Sequence, residues 1–198
     1  MVEGKTEALY LRHLKERNSN VEVMVCESEN KNPSKMVGNC VHKMKEKGVD
    51  VSQGDIAFCV FDVYNNKEDD LRAAAVAAKK SGIKLIVSNP RFEIWLLMHF
   101  RSVSGLPADA KIEDMLSVHL GCKYSKTDDI WDHIRGHAYG AAKASKEASD
   151  KEGLISPEDF FRCRFSTGMH ILTEAVNKLK AENTRKYKSE QEWKRSNR

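Results

Sequence analysis

In Asp55-Ile-Ala-Phe-Cys-Val-Phe61 an apolar run continues without a polar break until Asp62 stops it, and its reading decides the fold. A strand with one face in water alternates apolar and polar side chains. A run that is apolar throughout belongs to a strand buried on both faces, as in a parallel sheet. Downstream, an Asn-rich turn leads into Leu71-Arg-Ala-Ala-Ala-Val-Ala-Ala-Lys-Lys80, a strong helix former closed by Ser81-Gly82. Ile83-Lys-Leu-Ile-Val87 is the next strand, and Pro90 is expected to begin an amphipathic helix through Phe100. Upstream, residues 34–47 read as a helix ending at Gly48, and Val21-Glu-Val-Met-Val25 alternates into a short strand that the Asn/Lys/Ser-rich stretch with Pro33 breaks off. Residues 5–17 form a first helix directly after Met1-Val2, the stub of a first strand. Strand and helix therefore alternate over residues 1–100, which predicts an α/β fold, a mainly parallel sheet flanked by helices.

Beyond Gly105-Leu-Pro107 the pattern turns helical, with stretches near 110–119, 127–149 and 166–181, so one domain is expected over 1–181: a sheet core (1–100) with a helical extension (101–181). Residues 182–198 carry six Lys/Arg against three Glu and are expected as a basic, disordered tail. The whole chain of 198 residues has a formal charge of only +4, and 40% apolar content suffices for a real core. Five cysteines, odd in number and without a Cys-x-x-Cys pair, support neither a disulfide framework nor a zinc site. No segment has the apolar length of a membrane span and no leader pattern opens the chain, so the expected location is cytoplasmic, away from any membrane.

Ligands of open parallel sheets bind beyond the carboxyl ends of the strands. The acids there are Glu3 after the first strand, Asp62 after Phe61, and Glu93 one turn into the helix after Ser88-Asn89, with Glu7 four residues on from Glu3 across Gly4. Converging carboxylates repel unless a divalent cation neutralises them, and their hard oxygens suit Mg²⁺ or Mn²⁺. Such a centre polarises a phosphoryl oxygen and readies a water for attack. The plainer alternative is that Asp62 caps a turn and Glu3 is solvated. Gly4 is read as permitting a tight turn, and Arg91 and Glu93 are read as a possible surface pair. Phe92, Trp95 and Leu96 are read as core, and His99 as a satisfied helix-end histidine. Lys123 and Lys126 are either contacts to a phosphate backbone or polar loop. His133 and His137, spaced i, i+4, are read as solvated, and Tyr187 and Trp193 as tail residues able to stack on bases.

Val2-Glu-Gly-Lys-Thr-Glu7, Cys59-Val-Phe-Asp62, residues 69–74, Ser88-Asn-Pro-Arg-Phe-Glu-Ile-Trp-Leu-Leu-Met-His-Phe100, residues 123–130 and residues 165–176 together resemble the RloB-like family, in order and over nearly the whole chain to about residue 180. The resemblance implies a Toprim-like (Rossmann-like) fold and a role in prokaryotic anti-phage defence by abortive infection. It also implies a metal-dependent nuclease cleaving phosphodiester bonds of RNA or single-stranded DNA. On the matching positions, Glu3 is the expected general acid/base or metal ligand, Glu7 the second acid, Asp62 a metal ligand and Glu93 a further ligand, with Mg²⁺ (or Mn²⁺) as cofactor. Lys5, Arg91, Lys123 and Lys126 are the expected nucleic-acid contacts, and a partner protein from the same defence locus is a possible associate.

The chain departs from the family pattern in two places. Where the Asp-x-Asp motif has its second acid, this chain has Tyr64, and phenol is a poor magnesium ligand. Asp69 or Asp70 is a possible substitute, though both read as the opening turn of a helix. Only Met1-Val2 precedes Glu3, whereas a buried strand usually takes about five residues, so the first strand is expected to be cut short. A Toprim domain that binds nucleic acid or a partner without catalysis is the alternative function. A nucleotide-binding module is disfavoured, because no Gly-rich phosphate loop follows a strand.

Overall fold

The computed structural model describes residues 1–15, 21–64 and 66–196. Strand β1 (Ala57–Asp62) pairs in parallel with β2 (Ile83–Asn89), Ala57 opposite Ile83 and Asp62 opposite Ser88. Between them runs α3 (Glu68–Lys80), closing a βαβ unit. The short β3 (Ser166–Thr167) adds to β2 antiparallel, Ser88 opposite Thr167. On the other side of β1, Val2 forms single parallel bridges to Val60 and to Glu27.

This is a mixed α/β architecture with a small three-stranded sheet, one pairing parallel and one antiparallel, where a mainly parallel sheet was expected. The expected strand over 21–25 does not form; the bonds of Val2 fall just beyond it, its N–H donating to the Cys26 carbonyl at 2.9 Å and its carbonyl accepting from Ser28 N–H at 2.9 Å. A ladder needs a partner along its length, and among the described residues a single bridge, Val2 to Glu27, forms on this side.

The alternation of β1 and β2 builds two cores. Ala57, Cys59 and Phe61 with Ile83, Leu85 and Val87 face α2 (Pro33–Lys47), α3 and α8 (Pro157–Arg162). Val2, Val60 and Ile86 face the other layer, formed by α1 (Lys5–Arg12), α4 (Glu93–Met98), α5 (Ile112–Leu120), α6 (Trp131–Ile134), α7 (Ala138–Glu152) and α9 (Met169–Ser196). Trp95, Ile94 and Leu97 are fully buried there; each side chain of this size contributes roughly 1.5–3 kcal/mol by leaving water.

Several boundaries move for local reasons. α1 ends at Arg12, and the rest of the expected helix 5–17 runs into residues 16–20, which lie outside the described residues. β2 runs to Asn89 and α4 begins at Glu93, with Pro90 in the turn between them. The expected helix 127–149 is divided into α6, a 3-10 turn Arg135–His137 and α7. Residues expected as a disordered tail continue α9 as regular helix to Ser196, with Tyr187 and Trp193 exposed on it. Among the described residues no helix is long and apolar enough to cross a membrane, and the five cysteines are free thiols.

Candidate functional site

The carboxyl end of β1 puts Asp62 beside the turn that follows Val2. The Asp62 N–H donates to Glu3 Oε2 at 3.0 Å, tying the two acids together. Gly4, the N-cap of α1, has φ −151°, ordinary extended backbone. What the position requires of a glycine is space, since a Cβ there would stand 3.3 Å from Glu7 Oε2. Glu7 thus folds back over the start of its own helix and is 4% exposed. Glu93, in the first turn of α4, is 2% exposed and receives the Tyr124 hydroxyl at 3.4 Å.

Glu7 and Asp62 feel the charges of the neighbouring acids. Burial raises the Glu7 carboxyl to about 7, with the charges of Glu3 and Glu93 adding to the effect. Burial raises Asp62 well above the carboxylate range, and Glu7, Glu3 and Glu93 push it further. Glu3 is also raised by burial, against the opposing hydrogen bond from Asp62 and the charges of Lys31 and Lys126. Asp62 Oδ1 is buried with no hydrogen-bond partner. A carboxylate oxygen removed from water without a donor is costly, and three neighbouring acids cannot relieve it.

The expected phosphate contacts divide into two kinds. Lys5 and Lys123 are exposed and make no ion pair with a described residue. Arg91 and Lys126 are engaged: Arg91 pairs with Glu113 at 2.9 Å, and Lys126 Nζ lies 3.5 Å from Glu93 Oε1 and 3.7 Å from Glu113 Oε1. An Arg91–Glu93 surface pair therefore does not form, because Glu93 is buried and Glu113 takes the guanidinium. Tyr64 has a structural part here: Arg91 stacks on its ring at 3.7 Å from the centroid, and its N–H donates to the Pro90 carbonyl at 3.0 Å. The loops after β1 and β2 are clasped by that contact. Asp69 and Asp70 sit in the first turn of α3, as their reading as helix openers required.

Sequence reading did not single out Thr6, Glu113 or Tyr124. The Thr6 hydroxyl donates to the Lys126 carbonyl at 3.0 Å, holding the 123–126 loop against the start of α1. Burial and the Glu93 charge keep the Tyr124 hydroxyl protonated, so it is a donor to Glu93. Of these three, Thr6 and Tyr124 lay in stretches already marked, and Glu113 did not. His99 is buried, bonded through Nδ1 to the Trp95 carbonyl at 2.9 Å and lowered to about 4 by burial, a packed histidine as expected. His133 and His137 are exposed.

The hard carboxylate oxygens of Glu3, Glu7, Asp62 and Glu93 are of the kind that suits a divalent cation. Among the described residues, however, no three His, Cys, Asp or Glu side chains already form a group able to hold a metal ion. A cavity of about 380 Å³ lies elsewhere, at the amino end of β1, among side chains such as Val25, Phe58 and Leu172. We place the candidate chemistry at the acids, where carboxylates converge at the strand ends; the cavity wall is mostly apolar, with Cys26, Cys40 and Lys43 among its lining residues. No curated protein and no solved structure matches the chain. The family model for RloB-like proteins matches residues 1–192 of the 198, and the chain belongs to that family.

Proposed function

We propose that this chain is a divalent-cation-dependent nuclease of the Toprim type that cleaves phosphodiester bonds of RNA or single-stranded DNA in prokaryotic anti-phage defence. The observation that carries the reading is the orphan Asp62 Oδ1, buried among Glu3, Glu7 and Glu93 at the strand ends. Membership of the RloB-like family supports it.

In this reading Asp62, Glu3, Glu7 and Glu93 hold Mg²⁺ or Mn²⁺. The bound ion supplies Lewis-acid polarisation of a phosphoryl oxygen and a water of lowered pKa. Glu3 orients the end of β1 through the Asp62 N–H. Glu7, buried beside Glu3 and Glu93, would join them as a ligand in its deprotonated form. Lys5 and Lys123 face solvent, where a phosphate backbone can meet them.

Purified protein incubated with RNA and single-stranded DNA in Mg²⁺ or Mn²⁺ is expected to cut one of them, and Glu7→Gln to lose the activity. Absence of cleavage, with none gained on Tyr64→Asp, would overturn the proposal. A second reading, a Toprim domain that binds nucleic acid or a partner without catalysis, is favoured by Tyr64, which stands at the second motif acid and is clasped by Arg91. It requires affinity for nucleic acid that falls with salt and is indifferent to metal.

A further inference from the structure

Lys126 was expected as a phosphate contact, yet its ammonium is directed to the acids. It lies 3.5 Å from the buried Glu93 and 3.7 Å from Glu113, and its charge also bears on Glu3, Glu7 and Asp62. Lys31 opposes the burial of Glu3 as well, but Lys126 is the cation that acts on Glu3, Glu7 and Asp62 alike. The backbone carrying it is fixed. Thr6 holds the Lys126 carbonyl, Ser117 Oγ accepts from Tyr124 N–H at 2.9 Å, and Asp128 accepts from Ser125 N–H at 2.9 Å.

The side chain itself is half exposed, at 50%, against 3% for Glu93. Its contacts of 3.5 and 3.7 Å exceed the 2.7–2.9 Å of a short charge-assisted hydrogen bond. A lysine ammonium is a strongly hydrated point charge on a flexible stem. The arrangement is thus a rigid loop with a loosely held cation at the rim of an over-acidic centre.

We propose that Lys126 is a tethered counter-ion that stands in for the divalent cation in the metal-free protein and is displaced toward solvent when that cation binds. This rests on the reading of the acids as a cation centre. Two consequences follow from charge alone. Without metal, Lys126 stabilises the fold by offsetting carboxylates that repel. With metal, it opposes binding, because a divalent ion must either expel the ammonium or share the site with a like charge.

The test is thermal unfolding of the full chain titrated with MgCl₂ and, separately, MnCl₂. Lys126→Gln is expected to melt below wild type without metal and to reach half of its metal-induced rise at a concentration about fivefold or more lower, a coupling of ordinary size between two linked sites. Lys126→Arg keeps the charge and is expected to track wild type, as is Lys143→Gln on the exposed side of α7. A Lys126→Gln midpoint equal to or above that of wild type, or a Lys126→Arg midpoint that falls like that of Gln, overturns the counter-ion proposal while leaving the cation centre standing. If neither metal raises the melting temperature of any of these proteins, the cation centre itself fails, and the proposal with it.

Discussion

Glu3 Oε2 accepts the main-chain N–H of Asp62 at 3.0 Å, so the acid after the Val2 bridge is bonded to the strand end that carries the unpartnered Asp62 Oδ1. The same carboxylate both stabilises, by satisfying a buried N–H, and destabilises, by adding negative charge beside Asp62 and Glu7. Substitutions separate the two effects. Glu3→Gln keeps an acceptor and removes the charge, so its melting temperature without metal is expected to equal or exceed that of wild type, while its response to Mg²⁺ shrinks. Glu3→Ala also strands the Asp62 N–H, a loss of about 1–3 kcal/mol for an unsatisfied buried group. Calorimetry of both variants decides the point: equal losses in Gln and Ala would mean that the hydrogen bond is not what Glu3 contributes.

Tyr64 supplies a contrast of its own. Its ring supports Arg91 at 3.7 Å, a contact worth roughly 0.5–1 kcal/mol at an exposed site. Tyr64→Phe keeps the ring and should be neutral. Tyr64→Asp gives up that contact and adds an acid at the end of β1, so the metal-free protein is expected to be less stable and its Mg²⁺ affinity higher. A metal titration by calorimetry reads this directly, and an unchanged affinity would show that residue 64 lies out of reach of the cation.

The pH dependence follows from Glu7, whose carboxyl rises from 4.5 to about 7 on folding. A group that holds its proton more tightly in the folded state contributes stability that is present below the unfolded value and is lost as pH rises. Between pH 4.5 and about 7 the wild type should therefore lose stability relative to Glu7→Gln, with Asp62 acting in the same direction. Saturating Mg²⁺ should cancel the difference above pH 7, since the ion holds the deprotonated acids. Parallel melting curves for the two proteins across that range would contradict the burial of Glu7 between like charges.

The residues that met at the site were legible because each follows an element boundary. Asp62 ends an apolar run, Glu7 lies in the first turn after Gly4, and Glu93 opens the helix behind Ser88-Asn89. What stayed hidden depended on partners far along the chain. Nothing in Val21-Glu-Val-Met-Val25 tells that Val2 bonds just beyond it, to Cys26 and Ser28. Ser166-Thr167 reads as helix until the carboxyl end of β2 is seen to receive it. Glu113 lies 22 residues from Arg91, and Thr6 lies 120 residues from Lys126. Burial likewise decided between Arg91–Glu93 and Arg91–Glu113, a choice that spacing alone leaves open.

The cavity of about 380 Å³ beside β1 carries the last prediction. The Met1 ammonium donates to the Phe58 carbonyl at 2.9 Å, Val60 N–H donates to the Met1 carbonyl at 2.9 Å, and Val2 N–H donates to Cys26 on the opposite wall. Met1 and Val2 are thus the end of a ladder whose next positions, between Phe58 and residues 23–25, are hollow. An alternating apolar extension of about five residues fused ahead of Met1 would continue that ladder parallel to β1, exchanging a charged amine for an amide and placing side chains in the cavity. Burying each large apolar side chain contributes roughly 1.5–3 kcal/mol, against about 1–2 kcal/mol per ordered residue of backbone. With only two or three of five side chains turned inward, the gain and the ordering cost are of the same size, so the melting temperature is expected to change little and the test is structural. The extended protein is expected to show strand-like protection from hydrogen exchange at Val23 and Val25, whereas the same extension with Asp at the inward positions should give none and melt lower. If the apolar and acidic extensions behave alike, the hollow does not admit a strand.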